Sequence, residues 1–453
     1  MKKNAYLVRN AHIVRPNEVA TGDLLLCDGI ISALGPPGSL TGEARGATVI
    51  RADGLYALPG FIDIHVHGGC GFDATLGMYN PATDSFDNRP SAFARGIPRA
   101  LRAMAESGTT TALLTTLAAD EDVVSRSLTE LGAYVNSAAN GRDGARLLGI
   151  FLEGAFIKFP ALAGAQNPAY FRPPDVKIFE KWNELSQGTI RYVNVVPEHG
   201  PQGFRLMEHL SARGILVGAG HTDCTADEYA EAVRHGLRVA VHFTNGPTGS
   251  SLKTFGGGGA LQAVLRSRRV YAELIMDGLH VNPAYVRDII ARKTPERIIG
   301  ITDAMFVTGL RGVREFTVAG IRGQVSDDGR YLRVAEKRNT LFGSILRQDV
   351  VFANLLSWLS QPFPGVWTEE HPPVALEECI LWATTMLSAN PARVLGLYHP
   401  KTERLHQDLS HCCGCLEVGK RADVVLASIT GSPGRYVFRV RETFVAGRRL
   451  RRS

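Results

Sequence analysis

Between residues 61 and 305 the chain repeats one alternation, a short apolar run followed by a longer segment of helical amphipathicity. The runs are "FIDIHVH" from residue 61, "TTTALLTT" from 109, "RLLGIFLEG" from 146, "IRYVNVVPE" from 190, "ILVGAGHT" from 215, "VAVHFTN" from 239, "VYAELIMDGLH" from 270 and "IIGITDA" from 298. Most are apolar along nearly their whole length, the pattern of strands covered on both faces in a parallel sheet. Between them, "AFARGIPRALRAMAESG" and "TADEYAEAVRHG" carry helical periodicity, and Thr225 with Glu228 opens the second in capping-box spacing. Eight such alternations predict an α/β protein built on a (β/α)8 TIM-like barrel.

The two ends break the alternation. "YLVRNAHIV", "GDLLLCDGIISALG", "GCLEVGKRADVVLASITG" and "YVFRVRETFVAGRRL" read as antiparallel strands without a helix. Residues 1–59 and 400–453 are therefore expected to pair into a small, discontinuous β-sandwich domain, with residues 60–399 forming the barrel. With 453 residues and 45% hydrophobic content, the chain is long enough for both.

No apolar run approaches the roughly 20 residues that cross a bilayer, and Arg9, Asn10 and His12 interrupt the start of the chain. A cytoplasmic location and no membrane partner are expected. The net charge of +6 is scattered, apart from the terminal "GRRLRRS", which argues against a nucleic-acid partner and leaves a small anionic substrate compatible. Seven cysteines form no regular framework, so reduced thiols are expected. "HCCGC", residues 411–415, lacks the second ligand pair that a structural zinc site needs. "FGGGGA", residues 255–260, reads as a mobile loop over the site.

In a barrel of this kind the active site is built from the C-terminal ends of the strands. The last polar residues of the runs are His65 and His67, Glu153, Glu198, His221, His242, Asp277 with His280, and Asp303. Singly, each has an ordinary explanation, since a strand-end Asp often caps the next helix. Together they meet at one rim, where so many unpaired ionisable groups are costly without a metal or a charged ligand. Imidazole and carboxylate without thiolate suits zinc, or iron or manganese. Glu153, His221 and His242 would hold one divalent ion, and His65 and His67 a second with Glu153 bridging. Asp303 is placed to act as general base and then acid, and His280 to polarise a substrate carbonyl.

The order "PGFIDIHVHGG", "LEGAFI", "AGAQN", "VPEHG", "GHT", "VHFTN", "DGLHVNP", "TDAM", "LFGS", "NPARVLGL" and "GCLEVGKRADVVLAS" resembles the N-acetylglucosamine-6-phosphate deacetylase family of the amidohydrolase superfamily, over nearly the whole chain. The resemblance implies hydrolysis of the N-acetyl group of an amino sugar phosphate, with a divalent ion activating water. It implies the same metal ligands and the same roles for Asp303 and His280. It further implies sugar contact for Gln166 and phosphate contact near Asn245 and Gly246. Lys253 stands where the family has a phosphate-binding arginine from a neighbouring subunit, which implies a homodimer. Lysine offers a point charge there, without the bidentate fork of arginine.

Other departures are Ala155 where the family has proline, "HFTNGP" where it has "HLFNAM", and a longer connection from Cys70 to about Ala94. The hydrolytic centre is thus better matched than the phosphate pocket, which keeps N-acetylgalactosamine-6-phosphate or an unphosphorylated N-acyl sugar as alternatives. A cyclic amidase or deaminase would show a lysine at a strand end in place of Glu153, and none ends a strand here. A catalytically dead scaffold would show lost ligands, and none is lost.

Overall fold

In the computed structural model, described over residues 5–245, 257–337, 339–398 and 410–450, the eight predicted runs form eight parallel strands. They are β1 (Phe61–Val66), β2 (Thr109–Thr116), β3 (Arg146–Phe156), β4 (Ile190–Val195), β5 (Leu216–Ala219), β6 (Leu237–Ala240), β7 (Tyr271–Ile275) and β8 (Ile298–Ile301), hydrogen-bonded in chain order. A crossover helix follows each one: Pro90–Glu106, Glu121–Val135, Val176–Leu185, Pro201–Ala212, Ala226–Arg234, Ala260–Arg266, Pro283–Lys293 and Gln348–Leu359. Thr225 and Glu228 form the expected capping box, each side chain bonding the other's backbone N–H.

β8 meets β1 through individual hydrogen bonds: Asp303 N–H to His65 O at 2.9 Å, His67 N–H to Ala304 O at 2.9 Å, and the Thr302 hydroxyl to Asp63 at 2.6 Å. The seam of the barrel therefore runs through the predicted site. Several strands end earlier than their apolar runs suggested: β4 at Val195, β6 at Ala240 and β7 at Ile275. Beyond those points the chain turns inward, so most of the polar residues sit on loops at the rim.

The terminal segments form one mixed sheet, with Tyr56–Pro59 pairing antiparallel to Val424–Ser432 to join the two ends of the chain. The expectation of purely antiparallel strands is corrected at one place. Tyr6–Val14 pairs in parallel with both Thr48–Arg51 and Tyr56–Pro59, because the chain returns along residues 36–47 before re-entering the sheet beside its first strand. Val8, Leu24, Leu26, Val424 and Phe444 pack on one face, while Leu7, Leu25 and Ala33 pack with Leu40 and Ala44 on the other. Phe438 joins this sheet to the barrel, 4.4 Å from Phe352 and 5.9 Å from Phe61 between ring centroids.

Two insertions rise beside the rim. The long connection after β1 forms a four-stranded sheet from Gly68 to Asp87, and the segment after β8 forms a three-stranded sheet from Glu315 to Val334. Tyr79, Phe86, Phe306 and Phe316 cluster between them. Asp84 pins the contact by accepting from the Tyr79 hydroxyl at 2.9 Å and the Thr317 backbone at 3.0 Å. No disulfide forms among the described residues. No helix there is long and apolar enough to cross a membrane.

Candidate active site

Five of the predicted residues meet around one carboxylate. Glu153, on β3, places Oε1 2.9 Å from His242 Nε2, 3.3 Å from His221 Nε2 and 3.7 Å from His65 Nε2. The two Nε2 atoms of His221 and His242 are 3.2 Å apart. Its Oε2 lies 3.5 Å from His67 Nε2, and Asp303 Oδ1 lies 3.1 Å from His67 Nε2 and 3.5 Å from His65 Nε2. Ligands about 2.0–2.1 Å from a tetrahedral ion are themselves about 3.3 Å apart, so the Glu153, His221 and His242 atoms have the spacing of one coordination shell. His65, Glu153 and His242 form one grouping that could hold a metal, and His65, His67 and Asp303 a second.

The surrounding hydrogen bonds set the imidazole tautomers. His221 Nδ1 faces Leu162 O at 2.8 Å and His67 Nδ1 faces Thr115 O at 3.1 Å. A carbonyl accepts only, so Nδ1 carries a proton and Nε2 is the nitrogen that faces the carboxylates and would serve as the ligand atom. Burial alone would raise the Glu153 carboxyl, but the bonds to His221 and His242 outweigh it and hold Glu153 well below the usual carboxylate range. Asp303 is likewise held low against burial by the charges of His65 and His67. His65 is lifted to about 10, against burial, by Asp303, Glu273 and Glu153. The cluster thus keeps its carboxylates anionic and favours positive charge among them. His65 Nε2 and His242 Nδ1 are buried without a hydrogen-bond partner, and His65 Nε2 points between two carboxylates. This donor set fits one or two divalent cations.

Backbone geometry distinguishes the same residues. His221, His242 and Asp303 all have left-handed φ, at 56°, 31° and 51°. Non-glycine residues adopt that region at a cost, and such positions cluster at functional sites. Here the turn at the end of β5, β6 and β8 aims each side chain into the barrel mouth.

A cavity of about 360 Å³ opens over the cluster, lined by His67, Gln166, His221, His242, Asn245, His280 and Asp303, with Leu117, Ile275, Leu279, Met305 and Phe342 as apolar walls. His280 Nδ1 is 2.7 Å from Asp277 Oδ2, which fixes that ring and leaves Nε2 for the cavity. Asn245 donates to His280 O at 3.2 Å. Gln166 lines the cavity and also makes contacts beneath it. Its Nε2 donates to Glu153 Oε2 at 2.6 Å and its Oε1 accepts from Ala118 N–H at 2.8 Å, so it chiefly fixes Glu153 and keeps one N–H for a substrate. Gly246 and Lys253 lie outside the described residues, as does part of the glycine-rich stretch.

Glu198 turns away from the cavity and accepts from Thr222 Oγ1 and Asp223 N–H, both at 2.7 Å. A larger cavity of about 750 Å³ lies at the opposite end of the barrel, beside Arg15, Glu18, Glu296 and Arg393. Convergent ionisable groups, more than volume, mark the site. Sequence reasoning missed Glu273, which is fully buried in β7 and bonded to His65. A charged residue inside the apolar run "YAELI" was the available signal, because a buried carboxylate requires a partner.

Residues 56–450 match the model of the Amidohydrolase family, and the chain belongs to that family; it is a hydrolase. Within that class its relatives are deacetylases of amino sugar phosphates. It is 30% identical, over 93% of each chain, to N-acetylglucosamine-6-phosphate deacetylase of Bacillus subtilis. It is 29% identical to N-acetylgalactosamine-6-phosphate deacetylase of Escherichia coli O157:H7, over 91% of this chain and 94% of the relative. The fold matches the crystal structure of N-acetyl-D-glucosamine-6-phosphate deacetylase from Mycobacterium smegmatis with a TM-score of 0.77, at 24% identity, over 99% of this chain and 100% of that one.

Proposed function

We propose that this protein hydrolyses the N-acetyl group of N-acetylglucosamine-6-phosphate, giving glucosamine-6-phosphate and acetate. The observation that carries this reading is the convergence of Glu153, His221 and His242 within about one coordination shell, at the floor of a cavity with Asp303 and His280 on its wall. A volume near 360 Å³ suits one sugar, at the lower end of the roughly 300–1,000 Å³ of small-molecule sites.

Glu153, His221 and His242 would hold one ion, and His65 and His67 a second with Glu153 between them. Such a divalent ion supplies an activated water at neutral pH and polarises the amide carbonyl. Asp303, anionic at neutral pH, takes the proton of the attacking water on a carboxylate oxygen and returns it to the departing amine nitrogen. His280, fixed at Nδ1 by Asp277, would polarise the carbonyl from Nε2 in its imidazolium form, in which both ring nitrogens carry a proton and Nε2–H donates to the oxygen as negative charge develops there. Gln166 keeps Glu153 in place and offers its remaining N–H to the sugar, while Asn245, Gly246 and Lys253 would hold the phosphate.

The imidazole and carboxylate donors favour zinc, with iron or manganese as the alternatives. A phosphate-binding lysine from a neighbouring copy would make the working form a homodimer, and a phosphorylated substrate would place it in the cytoplasm. Acetate release should be compared across N-acetylglucosamine-6-phosphate, N-acetylgalactosamine-6-phosphate and the two unphosphorylated sugars. The first is expected to be turned over with the highest kcat/KM. Preference for the galactosamine epimer would move the assignment to the relative named for it, and turnover of unphosphorylated sugars alone would remove the phosphate pocket.

A further inference from the structure

Glu273 lies in the middle of β7, inside the barrel and fully buried, and no step proposed above uses it. Its carboxylate is a junction of three hydrogen bonds. Oε2 accepts from His65 Nδ1–H at 3.2 Å and from the backbone N–H of His242 at 3.1 Å, while Oε1 accepts from the Tyr192 hydroxyl at 3.0 Å. Tyr192 is itself fixed, stacked on Phe151 with ring centroids 3.7 Å apart, and Phe151 meets His65 edge-on at 4.9 Å. Among the described residues, no lysine or arginine pairs with Glu273.

We propose that Glu273 is a positioning residue that ties the two halves of the metal centre together. This rests on the metal-dependent reading of the site. One oxygen atom touches both a side chain from β1 and the backbone of the loop beyond β6, so His65 and His242 cannot shift independently. As an acceptor, Glu273 keeps a proton on His65 Nδ1 and orients the ring so that Nε2, which faces Glu153 and Asp303, is the nitrogen that would serve an ion. A carboxylate behind a ligand histidine fixes its orientation and raises its basicity. His65 is thereby prepared as a ligand of the ion on the His67 side, which assigns the H-x-H pair to the metal centre.

A Glu273→Met variant tests the assignment. Methionine keeps the length of the side chain but offers no strong acceptor, so His65 Nδ1–H and the His242 N–H lose their shared partner and nothing holds the imidazole with Nε2 as its ligand atom. Zinc affinity and stoichiometry, read by competition with a chromophoric chelator, are expected to fall about 10- to 100-fold at the weaker site. Turnover should lose kcat with little change in KM, and Glu273→Asp should restore part of the affinity. Tyr192→Phe, which removes only the Oε1 bond, should bind zinc like the parent.

Parental affinity and stoichiometry in Glu273→Met would overturn the proposal alone. A parent protein that takes up no zinc, iron or manganese after stripping would overturn the metal reading and the proposal with it. If the variant does not fold, the zinc-loaded parent with 15N-labelled histidine answers the question. His65 is expected to show a slowly exchanging Nδ1–H, and a His65 protonated at Nε2 would overturn the assignment.

Discussion

The barrel buries charge in its outer layer and base as well as at its rim, and it does so in two different ways. Near the base, Lys293 Nζ donates to the carbonyls of Val264, Ser267 and Val270 at 2.9, 2.5 and 2.8 Å. In the helical layer, Arg287 is held by the carbonyls of Trp358, Leu359 and Pro372, and Asp288 by His371 and two backbone N–H groups. Each of these charges is matched bond for bond. At the rim, Glu153 and Asp303 face imidazoles, and His65 Nε2, lying between the two carboxylates, has no hydrogen-bond partner. A buried polar group without a partner costs about 1–3 kcal/mol. The contrast teaches that these outer charges, satisfied within the chain, serve the fold, whereas ionisable groups that converge and leave a nitrogen between two carboxylates mark the candidate site.

The largest effect expected on this contrast is that of removing the ion. Stripping with a strong chelator should reduce acetate release to background and lower the thermal midpoint, because a bound ion stabilises the folded state by mass action. Both should return with added zinc. Full turnover by stripped protein would mean that the rim, like the base, satisfies itself.

Asp303→Asn comes next. It keeps the shape of the rim but cannot carry the transferred proton, so kcat should fall about 10³-fold or more, on the order of 4 kcal/mol. Binding of the ion by Glu153, His221 and His242 should persist. Substantial residual turnover, measured with metal content confirmed, would remove Asp303 from its role.

How far the sequence reached follows the same division. All eight barrel strands were legible, because strands buried on both faces are apolar throughout and their periodicity is local. The cluster at the rim was legible because His65, His67, Glu153, His221, His242 and Asp303 each end an apolar run, where polarity has no reason in packing. What escaped detection depends on distant pairings. The partners of Glu273 come from β1, β4 and the loop after β6, and no local pattern reveals them. The role of Gln166 in fixing Glu153 depends on the path of the loop after β3. The parallel pairing of Tyr6–Val14 with Thr48–Arg51 depends on how residues 36–47 return, and strand propensity alone carries no register.

Lys293→Met is the matching test at the base. It removes the donor of three buried carbonyls and should lower stability by about 2–4 kcal/mol, read from denaturant midpoints. The folded fraction should keep its kcat and metal content. Lost turnover in folded protein would break the distinction, since Lys293 lies at the far end of its helix from the rim.

The smallest expected effect concerns a rim histidine that lies outside the cavity. His199, just beyond β4, has its Nε2 3.1 Å from Phe156 O, so that nitrogen carries the proton. Burial, with Lys158 nearby, pushes its pKa down to about 4. An unfolded histidine titrates near 6.5. Between those values the unfolded chain binds a proton that the folded chain does not, so stability is lost as pH falls from about 6.5 to about 4, and no further below it. The partial exposure of His199 limits this to on the order of 1–2 kcal/mol. His199→Gln, which can still donate to Phe156 O, should remove that part of the acid slope, so the stability difference between variant and parent shifts in the variant's favour across the window. Turnover near neutral pH should not change. An unchanged acid slope would mean that His199 titrates as a solvated group. A loss of turnover would place it in the site and redraw the boundary between the two kinds of buried charge.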